Sequence, residues 1–173
     1  MFRAMTITAL AITVLGIIVH ALIRPGTGPR QGARAAMPCP FARFVRAAAT
    51  AVVMVCVLGL AVTGFYPRLV DDAAVSGYLL MVHVTLGGVF LAALAAWGVA
   101  WAWDHWDPPG QWGRKVAFWL MLVTGLSAGA AIVLNMIPLF GTAWQGLLLE
   151  VHRTSALACL IGAIGWGYWM VRR

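Results

Sequence analysis

Long apolar segments dominate the chain and alternate with short connectors that hold its prolines and most of its charges. Five segments reach or approach the roughly 20 residues that an α-helix needs to cross a bilayer. They cover residues 2–23, 45–66, 77–103, 115–137 and 143–170. None has the strict alternation of apolar and polar residues that a membrane β-strand requires, so we predict five membrane-spanning helices.

The first segment has the alternative of being a cleaved signal peptide, because it is apolar and begins near the amino terminus. It is longer than the usual hydrophobic region of such a peptide and lacks a clear cleavage site of small residues. We therefore expect it to be retained as a transmembrane helix.

Composition agrees with a lipid environment. Hydrophobic residues make up 62% of the chain and charged residues 10%, which is outside the range of soluble domains. A length of 173 residues leaves room for one bundle. We therefore predict an all-α integral membrane protein with an N-terminal helix at 1–23, a cytoplasmic connector at 24–44 and a four-helix bundle at 45–173.

The net charge of +7 would suit a nucleic-acid partner, but the positions of the cations indicate membrane topology instead. Cations collect in the first connector, the third connector and the carboxyl end, whereas Arg68 in the second connector is offset by Asp71 and Asp72. The three groups are Arg24, Arg30, Arg34, Arg43 and Arg46; Arg114 and Lys115; and Arg172 and Arg173. By the positive-inside rule the N-terminus is outside and the C-terminus cytoplasmic, in a bacterial inner membrane.

Two histidines lie at matching depths in predicted spans. His83 is about six residues into the third span and His152 about nine into the fifth, so both imidazoles are expected roughly 9–13 Å below the same face. Ionisable residues inside a bilayer are costly and usually functional. Because a haem iron takes two axial nitrogen donors from facing helices, we predict one bis-histidine haem b, with Gly87 leaving room beside His83.

Other interpretations of the histidines are weaker. A single intramembrane histidine more often forms an interhelical hydrogen bond, and it is the matched depth of the pair that favours the haem. Zinc or copper would require three or four converging donors, which the sequence does not provide. Covalent c-type haem is excluded because no CxxCH motif occurs. His20 and His105 are better interpreted as interfacial side chains than as ligands of a second haem.

Three motifs point to a known family. Thr63-Gly64 closes the second segment, His83 opens the third, and His152-Arg153 opens the fifth. In these motifs the last four segments resemble the four-helix cytochrome b subunits of membrane-bound formate dehydrogenases and nickel-iron hydrogenases. The resemblance implies that His83 and His152 bind the haem nearer the outer face. It also implies partner subunits of a redox complex, such as a cytochrome c or an iron-sulfur protein.

The chain departs from that family where a second haem would bind. The family's inner haem uses a histidine near the start of the second segment and another 14 residues beyond His152, where this chain has Arg46 and Trp166. Position 97, likewise 14 residues beyond His83, is also tryptophan. We therefore expect a single haem and electron transfer confined to the outer side.

Quinone is the second expected ligand, and its candidate residues lie near the outer level. Tyr78, Asn135 and Glu150 offer hydrogen-bonding or proton-accepting groups. Glu150 has the alternative of an i,i+3 salt bridge to Arg153, and Arg153 that of a bond to a haem propionate. The sequence thus predicts a non-catalytic electron-transfer subunit. The alternative is a haem-free anchor subunit that kept a cytochrome b scaffold.

Overall fold

The computed structural model describes residues 2–23, 40–70, 74–106, 112–137 and 141–171, and it is all-helical over these ranges. The helices are α1 (Phe2–Ile23), α2 (Pro40–Val70), α3 (Gly77–Trp106), α4 (Trp112–Asn135) and α5 (Thr142–Val171). Each predicted segment lies largely within one of them. The predicted all-α class is therefore confirmed for the described residues, while Asp71, Asp72 and most of the first connector lie outside them.

Among the described helices, four are long and apolar enough to cross a membrane. The qualifying stretches are Phe44–Val70, Gly77–Trp101, Trp112–Asn135 and Thr142–Val171, which belong to α2, α3, α4 and α5. In α1 the described apolar stretch is shorter, Thr6–His20. Four apolar crossings are thus supported, and a fifth by α1 stays a prediction.

Helix α2 is longer at both ends than the predicted span. It begins at Pro40, where proline suits the first turn because its missing N–H would have no intrahelical partner. It continues past Pro67 to Val70, because a proline so near the end removes only one late hydrogen bond. The helix therefore starts five residues before the predicted span at 45–66, while its apolar stretch begins at Phe44.

The helices pair as two antiparallel hairpins, α2 with α3 and α4 with α5. The hairpins meet through α3 and α4 and, less extensively, through α2 and α5, while α1 packs on α5. The four longer helices therefore follow one another around the bundle, with α3 diagonally opposite α5. Because alternate helices in such an arrangement run in the same direction, α3 and α5 are parallel.

The best-packed part of the bundle lies on one side of its middle. A single apolar cluster joins α2, α3, α4 and α5. Its largest fully buried side chains include Trp97, Trp166, Phe118, Leu94 and Met121. Glycines allow the close approach of α4 and α5: a β-carbon at Gly162 would lie 2.7 Å from the backbone nitrogen of Met121.

We predict that Gly162→Ala destabilises the bundle, because a backbone atom cannot move aside as a flexible side chain can. The expected loss is about 1–3 kcal/mol, measured as a lower midpoint of thermal or denaturant unfolding in detergent. Gly167→Ala on the same helix is the matched control, since a β-carbon there meets nothing within 4 Å. Equal midpoints for the two variants would contradict the predicted contact.

Candidate functional site

The structure brings the two predicted histidines together across the bundle. The imidazole rings of His83, on α3, and His152, on α5, have centroids 6.4 Å apart and planes at 79°. Both side chains are partly buried. Their meeting follows from the architecture, because diagonally opposed parallel helices carry both residues at one level. We call the end of the bundle nearer this pair the histidine end.

A hydrogen bond determines which ring nitrogen of His152 carries the proton. Its Nδ1 lies 2.8 Å from the carbonyl oxygen of Ala128 on α4. A carbonyl oxygen only accepts, so Nδ1 carries the ring proton and donates it. In the neutral ring Nε2 then keeps its lone pair, which is the form that binds a metal.

His83 reaches the same form by a different partner. Its Nδ1 lies 2.8 Å from Oγ1 of Thr63 on α2. The Thr63 hydroxyl is itself 2.8 Å from the carbonyl oxygen of Gly59, to which it donates its proton. With the hydroxyl proton on that carbonyl, Oγ1 accepts from Nδ1–H of His83, and Nε2 keeps its lone pair in the neutral ring.

Gly64 makes room for the His83 ring. A β-carbon at position 64 would lie 3.0 Å from Cε1 of His83, closer than most such contacts. Gly87, the glycine expected to do this, has nothing within 4 Å of a β-carbon at its position. Gly87 thus does not pack on the His83 ring.

The arrangement suits one ion held between two imidazoles. A metal–imidazole bond is about 2 Å long and the ring centroid lies about 1 Å beyond the nitrogen, so rings binding one ion from opposite sides have centroids about 6 Å apart. The observed separation of 6.4 Å matches this value. Among the described residues, neither Nε2 takes part in a hydrogen bond, so both are available as donors.

The number of protein side chains that could bind a metal bears on which metal ion suits the histidine pair. The part of the chain that the structure describes contains no group of three or more His, Cys, Asp or Glu side chains able to hold a metal. Zinc and copper sites built from protein side chains alone need three or four such donors. Two axial donors are sufficient for iron in a planar macrocycle, because the macrocycle supplies the other ligands.

A second pair of rings lies 14 residues further along the same two helices. The indoles of Trp97 and Trp166 meet edge to face with centroids 5.3 Å apart. Their side chains are 0% and 1% exposed. Phe118 and Trp101 pack around them, with centroids 4.9 Å from Trp97 and 6.0 Å from Trp166 respectively. Aromatic side chains therefore fill the level at which the sequence has no second pair of histidines.

Arg46 lies at the far end of this aromatic group. Its guanidinium is 5.7 Å from the centroid of Trp101, and that of Arg114 is 5.8 Å from the same ring. Cations at such distances are attracted by the indole ring. We call the end of the bundle that contains Arg46, Arg114 and Lys115 the basic end.

The predicted outer polar residues are only partly gathered. Arg153 and Glu150 form the i,i+3 salt bridge that was one alternative, with Glu150 the more exposed partner. Tyr78 is 79% exposed and points away from the bundle interior. Oδ1 of Asn135 is buried and has no hydrogen-bond donor among the described residues.

His20 lies on the contact between α1 and α5 and away from the histidine pair. Its Nδ1 is 2.9 Å from the Tyr168 hydroxyl, and its ring packs edge to face on Trp169. The side chain of His105 lies outside the described residues. An anchoring role for His20 is consistent with these contacts.

Sequence reasoning missed the partners of the two imidazoles. Thr63 and Gly64 were predicted only as part of a motif, and Ala128 was not predicted as a partner. Thr63 and His83 are level because α2 continues to Val70, seven residues beyond Thr63, while α3 begins six residues before His83. The predicted end of the second span at 66 would have placed Thr63 about 4.5 Å nearer the membrane face than His83. No side-chain signal marks Ala128, since only its backbone takes part.

No protein-family model, curated protein sequence or solved structure matches this chain. The four long apolar helices describe a helical membrane protein, and His83 and His152 form a pair of rings within its bundle.

We predict that Trp97→Phe destabilises the protein more than Trp166→Phe. Nε1 of Trp97 donates to Oγ1 of Thr50 at 3.0 Å, whereas Nε1 of Trp166 is buried without an acceptor among the described residues. Both substitutions remove a similar area, so the difference should reflect the lost hydrogen bond, about 1 kcal/mol. Denaturant unfolding of the two variants measures it.

Thr50→Val provides the control for this comparison. In that background the two phenylalanine variants should differ less, because the bond is already absent. A larger loss for Trp166→Phe than for Trp97→Phe in the otherwise unchanged protein would contradict the assignment.

Proposed function

We propose that this chain is an electron-transfer subunit of a membrane redox complex and that it binds one haem b between His83 and His152. The observation that carries the proposal is the pair of imidazoles, whose ring centroids lie 6.4 Å apart and whose Nδ1 atoms are both hydrogen-bonded to the protein. When bound, the haem iron would supply reversible one-electron chemistry between its ferrous and ferric forms.

The surroundings of the pair support a flat ligand. α3 and α5 lie diagonally opposite and pack mainly on other helices, so the space between their histidines belongs to the bundle interior. A β-carbon at Gly87, one turn from His83, would meet nothing within 4 Å, so the protein itself does not fill this position. Hydrogen bonds from Nδ1 orient each ring and increase the basicity of Nε2, as the neighbours of metal-binding histidines commonly do.

One haem and one-sided electron transfer follow from the aromatic level beneath the pair. Trp97 and Trp166 fill the position where a second macrocycle would lie. By the positive-inside rule we expect the basic end to face the cytoplasm and the histidine end to lie near the outer face of a bacterial inner membrane. Electrons would enter and leave the haem on that outer side.

The electron partners are assigned by chemistry. A cytochrome c or an iron-sulfur subunit at the outer face would exchange electrons with the haem. Quinone is the partner within the membrane, and Asn135 is its best-placed candidate, because a quinol hydroxyl would satisfy the buried Oδ1. Glu150 and Tyr78 are more exposed and serve only if a partner subunit covers them.

Arg153 has a separate candidate role at the haem. Its guanidinium has five N–H donors, and one nitrogen is engaged by Glu150. The remaining donors suit the carboxylate of a haem propionate, for which bidentate arginine bonds are favourable.

An optical spectrum of the purified protein tests the proposal. Reduction should produce the bands of a low-spin b-type haem, and His83→Ala or His152→Ala should abolish or strongly reduce them, because each variant removes one axial ligand. His20→Ala is the matched control. It removes a histidine near the end of α1, away from the pair, and should leave the bands unchanged.

Two outcomes would overturn the proposal. One is a folded protein without reducible haem bands after expression with haem in excess, which would support the haem-free anchor instead. The other is a haem spectrum that survives in both His83→Ala and His152→Ala, since the iron would then be bound elsewhere.

A further inference from the structure

The two histidines are positioned by different kinds of acceptor. His152 donates to a backbone carbonyl, which no substitution of Ala128 removes. Nδ1 of His83 is hydrogen-bonded instead to the side-chain hydroxyl of Thr63, so the orientation of the ring depends on one replaceable group. The pair is therefore chemically unequal although its two residues are identical.

Thr63 has the features of a fixed acceptor. Its side chain is only 8% exposed, so water does not compete for the hydroxyl. The hydroxyl proton is directed to the carbonyl oxygen of Gly59 at 2.8 Å, with Leu60 a more distant second acceptor at 3.4 Å. With its proton engaged, Oγ1 has only lone pairs to offer to His83.

We propose that Thr63 is a positioning residue that holds His83 in the Nδ1–H form. The electron donation of Nε2 of His83 then depends on the Thr63 hydroxyl. The effect on the haem rests on the proposed function, whereas the effect on the histidine tautomer does not. A ligand whose Nδ1–H is hydrogen-bonded gives more electron density to the iron and stabilises the ferric form. Loss of the Thr63 bond should therefore move the haem midpoint potential to a more positive value.

The same helix provides a matched control. Thr50, also on α2, accepts a hydrogen bond from the ring nitrogen of Trp97 on α3, as Thr63 does from His83. Thr50→Val and Thr63→Val thus make the same substitution in the same helix and break the same kind of bond to α3. Only the second bond involves a proposed haem ligand.

Two measurements on the full chain in detergent test the inference. The first is the nitrogen-15 NMR signature of His83, identified by its loss in His83→Gln, in protein prepared without haem. We expect the Nδ1–H form in the unchanged protein, in Thr63→Ser and in Thr50→Val. We expect a loss of that preference in Thr63→Val.

The second measurement is a redox titration of the haem-loaded proteins. Thr63→Val should shift the midpoint potential upward, while Thr63→Ser should stay near the unchanged protein because it keeps the hydroxyl. Thr50→Val should leave the potential unchanged. This contrast separates a specific effect on the ligand from a general loosening of the contact between α2 and α3.

Each alternative result has a definite meaning. An Nε2–H form of His83 in the unchanged protein overturns the inference even if Thr63→Val does not fold. Equal shifts in Thr63→Val and Thr50→Val overturn it as well, as does Thr63→Val with unchanged tautomer and potential. Absence of haem from all variants would refute the proposed function, while the NMR result would still decide the role of Thr63.

Discussion

The absence of water from the interior of a bilayer constrains every polar group in this bundle. An imidazole placed there must find partners within the protein, because unpaired polar groups cost several kcal/mol. His83 and His152 each satisfy Nδ1 through a neighbouring helix, one through Thr63 and the other through the backbone of Ala128. Among the described residues neither Nε2 takes part in a hydrogen bond, and this gives the histidine pair its chemical character.

The bundle repeats one arrangement at two levels with different side chains. At the histidine level a threonine of α2 orients a ring of α3, which faces a ring of α5. At the deeper level Thr50, Trp97 and Trp166 repeat this order. Indoles fill the deeper level, whereas the histidine level has two smaller imidazoles, each with an Nε2 that makes no hydrogen bond among the described residues. A single helical framework thus supports a packed aromatic core at one level and a pair of imidazoles at the other.

The basic end and the aromatic level act together on how the bundle lies in a membrane. The guanidinium groups of Arg46 and Arg114 both lie near the ring of Trp101, the member of the aromatic group nearest the basic end. Such contacts keep the cationic groups at the polar boundary while the indole remains largely in the apolar phase. The histidine end contains the ion pair of Glu150 and Arg153 instead, so the two ends differ in charge.

The apolar segments and the matched depths of His83 and His152 could be read from the sequence, because hydrophobic length and helical rise depend on local residues alone. The same arithmetic excluded a second histidine pair at the level of Trp166. Only the tertiary structure decided that α3 and α5 lie diagonally opposite, that Thr63 and Gly64 surround His83, and that Gly87 does not. These contacts depend on how helices distant in sequence pack together, and many sequences with the same apolar pattern would be compatible with other packings.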